Sequence, residues 1–141
     1  LKLLRRLVIG VIAIGALLLV AGWLMLRASL PDLDGQILAK GLSNTATIER
    51  DSSGIPVITA HSRADLAFAT GFAHGQDRFF QMDLIRRQAA GELSELFGPD
   101  AIAADKRYRF HRFRARAGAI YEELSPQEKN LIQRYADGVN A

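Results

Sequence analysis

The chain has 141 residues, with 18 Lys or Arg against 15 Asp or Glu, three histidines and no cysteine. This length suggests one domain or less, and without cysteine neither a disulfide framework nor a thiolate metal site can form. The chain starts at Leu1 rather than Met and stops at Ala141 inside an apolar-periodic pattern, so a fragment of a longer protein is expected.

Residues 7–26, LVIGVIAIGALLLVAGWLML, carry no charge. As a helix rising about 1.5 Å per residue, such a run is about 30 Å long, the thickness of a bilayer core. Its twelve Leu, Ile and Val side chains favour insertion by roughly 4–7 kcal/mol before glycines and end effects are discounted. Lys2, Arg5 and Arg6 precede the run, and Trp23 sits near its far end as an interfacial anchor. The positive-inside rule then makes 1–6 a cytoplasmic basic flank and puts everything after Arg27 outside. The expected location is the inner membrane, with the bulk of the chain in the periplasm or extracytoplasmic space.

Two other readings of 7–26 compete. A buried core helix should show a polar face, and none exists at any helical spacing. A cleaved signal peptide should have an apolar region of about 7–15 residues and an A-x-A-like exit; here a 20-residue run exits through Leu26-Arg27-Ala28. A signal anchor fits better than either. The span contains no small-xxx-small pair, which leaves a helix-dimerising role without support. The net charge of +3 equals the three basic residues before the anchor, so from Arg27 onward the chain is neutral overall.

Residues 27–45 mix Pro31, Gly35 and Gly41 with small polar residues and read as a tether. TATIERDSSGIPVITA follows, alternating apolar and polar side chains on either side of Asp51-Ser52-Ser53-Gly54. This predicts a β-hairpin with a four-residue turn, and Pro56 restricts the second strand to an edge or a strand start. Ser62 then opens a helix, with Asp65 in the fourth position of a capping box. Phe68, Phe72, Gln76 and Phe80 share one i, i+4 row, and Leu66, Thr70 and His74 share another. Gly71 and Gly75 weaken its middle, which allows one kinked helix or two abutting ones. Leu93, Leu96 and Phe97 make a short stripe closed by Gly98-Pro99. Phe110, Phe113, Ala117, Ile120 and Leu124 predict a further amphipathic helix. Ser125-Pro126-x-Glu128 starts the last one, with Ser as N-cap, Pro at N1 and Glu at N3, and Leu131, Ile132, Tyr135, Ala136 and Val139 form its buried face. The fold class is α+β: a transmembrane helix, then a hairpin and about four helices. Two strands alone are marginal, so the remaining sheet partners are expected outside residues 1–141.

Chemistry is sparse. His61, His74 and His111 accompany no G-x-S-x-G. There is no H-E-x-x-H, and His74 with Asp77 is a lone i, i+3 pair. The segment KRYRFHRFRAR (106–116) interleaves six Lys/Arg with Tyr108, Phe110 and Phe113, a pattern suited to a single-stranded nucleic-acid groove. Overall neutrality and the extracytoplasmic side argue against nucleic acid. A helix whose cations pair with acidic surfaces is the simpler reading, with anionic lipid or envelope polymer remaining open. In GFAHGQDRFFQMDLIRRQAAGEL (71–93), Asp83 and Arg87 form an i, i+4 pair in the favoured order. Gln76, Asp77, Arg78 and Gln81 lie beside Phe79, Phe80 and Met82, so half-burial with hydrogen bonding is expected. The forks of Arg78 or Arg86 suit carbonyls or carboxylates across a helix junction. No nucleophile or tuned base is present. Gln76, Asp77, Arg78, Gln81, Asp83 and Arg87 are therefore read as scaffold, and no catalytic, substrate-binding or metal-binding residue is assigned.

Three blocks, IERDSSGIPVITA, GFAHGQDRFFQMDLIRRQAAGELSELFG and LSPQEKNLIQRYADGVNA, resemble in order and spacing the start of the α segment of the penicillin acylase (penicillin amidase) family. The likeness covers Thr47 to Ala141, and Gln76 to Met82 is its most specific run. The resemblance implies a fragment of an αββα N-terminal-nucleophile hydrolase. Residues 46–141 would be the first part of an α segment in an exported precursor that cuts itself into α and β chains. A serine exposed at the β N-terminus would attack an acyl amide with its own α-amine as base. The substrates implied are β-lactam side-chain amides or N-acyl homoserine lactones. The nucleophile, the oxyanion-hole partners and most ligands of a calcium ion in the full-length protein are implied to lie in the β chain. Ser43-Asn44 superficially resembles a β start but precedes the run from Gln76 to Met82 and sits in the tether. The implied partners are the remainder of the precursor, the membrane through 7–26 and a small acyl-amide substrate, with no nucleic acid. The competing reading is a non-enzymatic, membrane-anchored envelope interaction module.

Overall fold

The computed structural model describes residues 2–30 and 33–141; Pro31, one of the tether signals, lies outside them. The chain divides after Ile37 into two compact units. In the first, helix α1 (Lys2–Ala28) holds a 25-residue stretch, Leu4–Ala28, with a mean hydropathy of 2.7 and none of it buried. It is long and apolar enough to cross a membrane, and a signal sequence near the N-terminus can meet the same test of length and composition. At its end the Arg27 guanidinium lies 5.7 Å from the Trp23 ring centre, close enough for a cation–π contact.

The second unit starts with an antiparallel hairpin of β1 (Thr47–Arg50) and β2 (Pro56–Thr59), in which Thr47 faces Thr59 and Arg50 faces Pro56. The connection is 51–55, one residue longer than expected. The Asp51 carboxylate closes it by accepting the Ser53 and Ile55 N–H groups at 2.8 and 2.9 Å. Pro56 opens β2, where its missing N–H costs the ladder least.

Helix α2 (Arg63–Ala90) follows, N-capped by Ser62, whose hydroxyl accepts the Asp65 N–H at 3.0 Å. It ends at Gly91 in the left-handed region (φ 71°). There the Glu92 N–H reaches the Arg87 carbonyl at 2.9 Å and the Gly91 N–H reaches that of Gln88 at 3.1 Å, the paired bonds of a Schellman ending. Within α2 two helical stretches meet across a kink. The bend falls at Arg78 (φ −137°, ψ 15°) rather than at Gly71 or Gly75, which keep helical backbone.

Beyond it come α3 (Ser94–Phe97), a 3-10 turn (Gly98–Ala101), α4 (Ile102–His111), α5 (Phe113–Glu123) and α6 (Pro126–Val139). Gly98-Pro99 stops α3 as expected, but the turn leads directly into α4. The single amphipathic helix expected from Phe110 to Leu124 is broken at Arg112, whose φ of 53° no α-helix accommodates. Its apolar stripe is uncovered too: Phe110 is 85 % exposed and Ile120 60 %. The start of α6 matches its sequence signal. Ser125 accepts the Glu128 N–H, and the Glu128 carboxylate accepts the Ser125 N–H at 2.8 Å.

The core of this unit is the α2–α6 contact. Phe68, Ala69 and Ala73 are buried on α2, and Gly71, Gly75 and Gly138 bring the two backbones together. A Cβ on Gly71 would sit 2.0 Å from the Tyr135 carbonyl oxygen, and one on Gly138 would sit 1.9 Å from that of Phe68. The glycines are there for close approach and not for bending. Across the same seam His74 Nδ1 and the Tyr135 hydroxyl are hydrogen-bonded at 2.9 Å.

Candidate functional site

The polar segment on α2 is organised around Arg50, at the end of β1. Its guanidinium donates to both Asp77 carboxylate oxygens, at 2.7 and 3.0 Å, to Gln76 Oε1 at 3.2 Å and to the Gly54 carbonyl at 3.2 Å. A planar fork can bind a carboxylate bidentately, and here it fastens the hairpin to α2 just before the bend. After the bend, Asp83 receives both Arg86 (2.6 Å) and Arg87 (2.8 Å), and Arg87 continues to Glu95 on α3 at 2.6 Å. Hydrogen bonds from Arg87 and then Arg86 hold the Asp83 carboxyl below its ordinary range. Arg78 and Gln81 are exposed and make no hydrogen bond or ion pair among the described residues. Of the four residues expected to be half-buried, only Gln76 is; Asp77 is exposed although it is bonded to Arg50, and Arg78 and Gln81 are exposed as well.

Two aspartates do more for the unit than the sequence suggested. Asp65 is 1 % exposed and Asp105 3 %. Asp65 accepts the Ser43 N–H at 2.8 Å and the Ser62 hydroxyl at 2.8 Å, pinning the approach to the hairpin onto α2. The Ser43 bond, followed by that from Ser62, lowers its pKa. Asp105 reaches from α4 to the Leu93 and Ser94 N–H groups at 2.9 and 2.8 Å, capping α3 from outside its own segment. Burial pushes its carboxyl up, but the bonds from Ser94 and Leu93 outweigh that and the net shift is downward. Arg109 donates to the Gly91 carbonyl at 2.8 Å, and Arg114 pairs with Glu92, as expected of cations meeting acidic surfaces. Arg114 holds the Glu92 carboxyl below its usual range.

This arrangement fixes elements and does not poise protons. A general base at neutral pH needs a carboxyl raised toward the working pH, whereas each shifted carboxyl here moves the other way. His74 is held by Tyr135, and the His111 ring stacks on Phe113 at 5.2 Å. Among the described residues no group of three or more His, Asp or Glu side chains could hold a metal ion. The Ser43 backbone N–H donates to Asp65. Sequence reasoning missed Arg50, Asp65 as a buried anchor and Asp105; the local signal for Asp65 was its place three residues after Ser62.

A hairpin clamped to a kinked helix, with a second helix seated on glycines, has a counterpart among solved structures. A solved thermostable penicillin G acylase from Alcaligenes faecalis superposes with a TM-score of 0.62 at 33% sequence identity, covering 68% of this chain and 51% of that one. Residues 45–141 match the family model described as penicillin amidase. The chain belongs to the penicillin amidase family. Penicillin acylase 2 proenzyme of a Pseudomonas species is 40% identical over 116 residues, covering 82% of this chain and 15% of that protein. Acyl-homoserine lactone acylase QuiP of Pseudomonas aeruginosa is 38% identical over 134 residues, covering 92% of this chain and 16% of that protein. The chain thus spans only about 15% of the length of the curated relatives it matches.

Proposed function

We propose that this chain is the N-terminal part of an acyl-amide hydrolase precursor, contributing anchor and scaffold while the chemistry lies in other segments. The match of residues 45–141 to the penicillin amidase family carries this reading. The alternative of a non-enzymatic envelope module is not favoured by relatives that are acylases. In the proposed organisation 1–6 is cytoplasmic, 7–26 anchors the chain in the inner membrane, 27–45 is a tether, and 46–141 opens the α segment on the periplasmic side. The names of the relatives suggest two substrate types, penicillins and acyl-homoserine lactones, both containing linear acyl amides.

In the N-terminal-nucleophile scheme, a serine at the head of the β chain adds its oxygen to the amide carbonyl while its own α-amine takes the hydroxyl proton. The amine leaves with a proton, and water releases the acyl group from the ester. Gln76, Asp77, Asp83 and Arg87 support the framework that seats such a chain. Arg78 and Gln81 belong to the proposed scaffold through surface that the described residues leave open. Calcium is proposed for the complete protein only: the buried carboxylates here are already committed to N–H and hydroxyl donors.

Mass spectrometry and an acyl-amide assay on the full precursor test this reading. The precursor should split into two chains at a serine, and Ser→Ala at that position should abolish splitting and turnover together. Residues 1–141 alone should hydrolyse no acyl amide. An unsplit precursor that still cleaves amides would overturn the proposal.

A further inference from the structure

The last residues of the segment read as a tether are fastened to the folded unit. The Gly41 carbonyl accepts the Arg134 guanidinium of α6 at 3.0 Å, across 93 positions of chain. Two residues on, the Ser43 N–H donates to Asp65 of α2 at 2.8 Å. Residues 41–43 thus reach both helices of the core. Gly41 suits the place by its backbone. Its φ is 118°, and a Cβ there would stand 2.9 Å from Arg134 Nη1 and 3.3 Å from Phe68 Cε2. The neighbours on α2 are among the most buried side chains of the unit, Asp65 at 1 % and Phe68 at 2 % exposed. A carboxylate buried so deeply needs donors, and the Ser43 N–H and the Ser62 hydroxyl supply them. These contacts involve no residue outside 41–134, so they are complete within this chain. Ahead of them Leu33, Ile37 and Leu38 are exposed, and the compact unit starts only at Leu38.

We propose that residues 41–43 are a strap that closes across the α2–α6 joint as one unit, so that the folded body begins at Gly41 and the free linker from α1 ends before it. A protease acting on the linker is thereby kept away from β1 and the hairpin it opens. The proposal is independent of the acylase reading, which concerns chemistry in other segments.

Hydrogen–deuterium exchange and limited proteolysis of the detergent-solubilised full precursor test it. In the parent, the Ser43 amide should exchange slower than in an unstructured peptide of the same sequence by about tenfold or more, as a bond to a charged group implies. A nonspecific protease should leave a resistant fragment whose N-terminus, read by sequencing, lies at or before residue 41. Arg134→Met removes the α6 leg and leaves Asp65 in place. It should nonetheless speed exchange at Ser43 by about tenfold, the equivalent of one charged hydrogen bond, and move the start of the fragment beyond residue 43. Gly41→Ala, strained in φ and blocked by Arg134 and Phe68, should do the same. Gly35→Ala is the control: its φ of 131° is also positive, but nothing lies within 4 Å, and it should change neither readout. Amides of α6 should stay protected in every variant; where one loses them and unfolds, the Ser43 rate and the fragment boundary of the parent decide. A Ser43 amide that exchanges at the peptide rate in the parent, or a parent fragment that starts beyond residue 43, overturns the proposal. So does unchanged Ser43 exchange in a folded Arg134→Met protein, which would make the two legs independent. Equal loosening by Gly35→Ala also overturns it, since 33–43 would then behave as one continuous tether. Splitting and turnover of the precursor are separate readouts, so failure of the strap and failure of the acylase reading are distinguishable.

Discussion

Asp65 is a side chain whose burial makes sense only as a charge. It sits one turn into α2, where the unpaired N–H groups of a helix start favour an anion, and it also takes a bond from the Ser43 backbone. Its folded pKa is depressed, first by that bond and then by the Ser62 hydroxyl, so its contribution has a definite sign. The stabilisation is fully present above the unfolded value of about 3.9 and disappears as pH falls through the lower folded value. Asp65→Asn should therefore lower the melting temperature at pH 7 and flatten the loss of stability between about pH 5 and pH 2, as followed by circular dichroism of the detergent-solubilised chain. An acid-unfolding curve parallel to that of the parent would show that Asp65 is not the linked group. The charge pair Arg50–Asp77 was beyond reach of the sequence for a different reason. The partners lie 27 positions apart, and nothing local to β1 marks Arg50 as the residue that turns inward.

At the scale of elements, what could be read from the sequence was what short-range chemistry decides. The Ser125–Glu128 capping box and the Pro56 strand start rest on neighbours within a few residues, and both are present as expected. The positions of the α2 bend and of the break at Arg112 were not legible, because hydrophobic spacing continues through both. The glycines of α2 were misread for a physical reason. Intrinsic propensity treats glycine as a weak point, yet its lack of a side chain is also what lets two backbones touch. The distinction can be measured by comparing two glycines in helices. Gly138→Ala places a methyl 1.9 Å from the Phe68 carbonyl oxygen and should destabilise by about 1–3 kcal/mol or more. Gly118→Ala, on α5 with nothing within 4 Å, should stabilise by about 0.5–1 kcal/mol. Equal effects in thermal melts would mean that α2 and α6 do not meet through their backbones.

For the whole molecule, the informative contrast is between composition and contact. One uncharged run and a neutral remainder separate an apolar helix from a unit of mixed composition in the sequence, whereas the structure divides after Ile37, inside the segment read as a tether. The family follows from the order of three blocks, and the match to residues 45–141 agrees with it. The Asp83–Arg87 pair of the candidate site was legible from its i, i+4 spacing, but the links from Arg50 to Asp77 and from Asp105 to Leu93 and Ser94 were not. The basic flank at Arg5 and Arg6 makes a topological prediction. A reporter active only outside the cytoplasm, fused after Ala141, should work, and one active only inside should not. The opposite pattern would reverse the orientation proposed for α1 and put the acylase reading in difficulty.

The α2–α6 joint also carries a timetable. His74 and Tyr135, which meet across it, are 61 positions apart, and closing a loop of that length costs about 4 kcal/mol of chain entropy before any contact offsets it. During synthesis the first partner emerges long before the second, and until then its glycine row has no neighbour to exclude water. The joint therefore seals late, when residues around Gly138 arrive and two carbonyl oxygens drop into the spaces that glycine kept free.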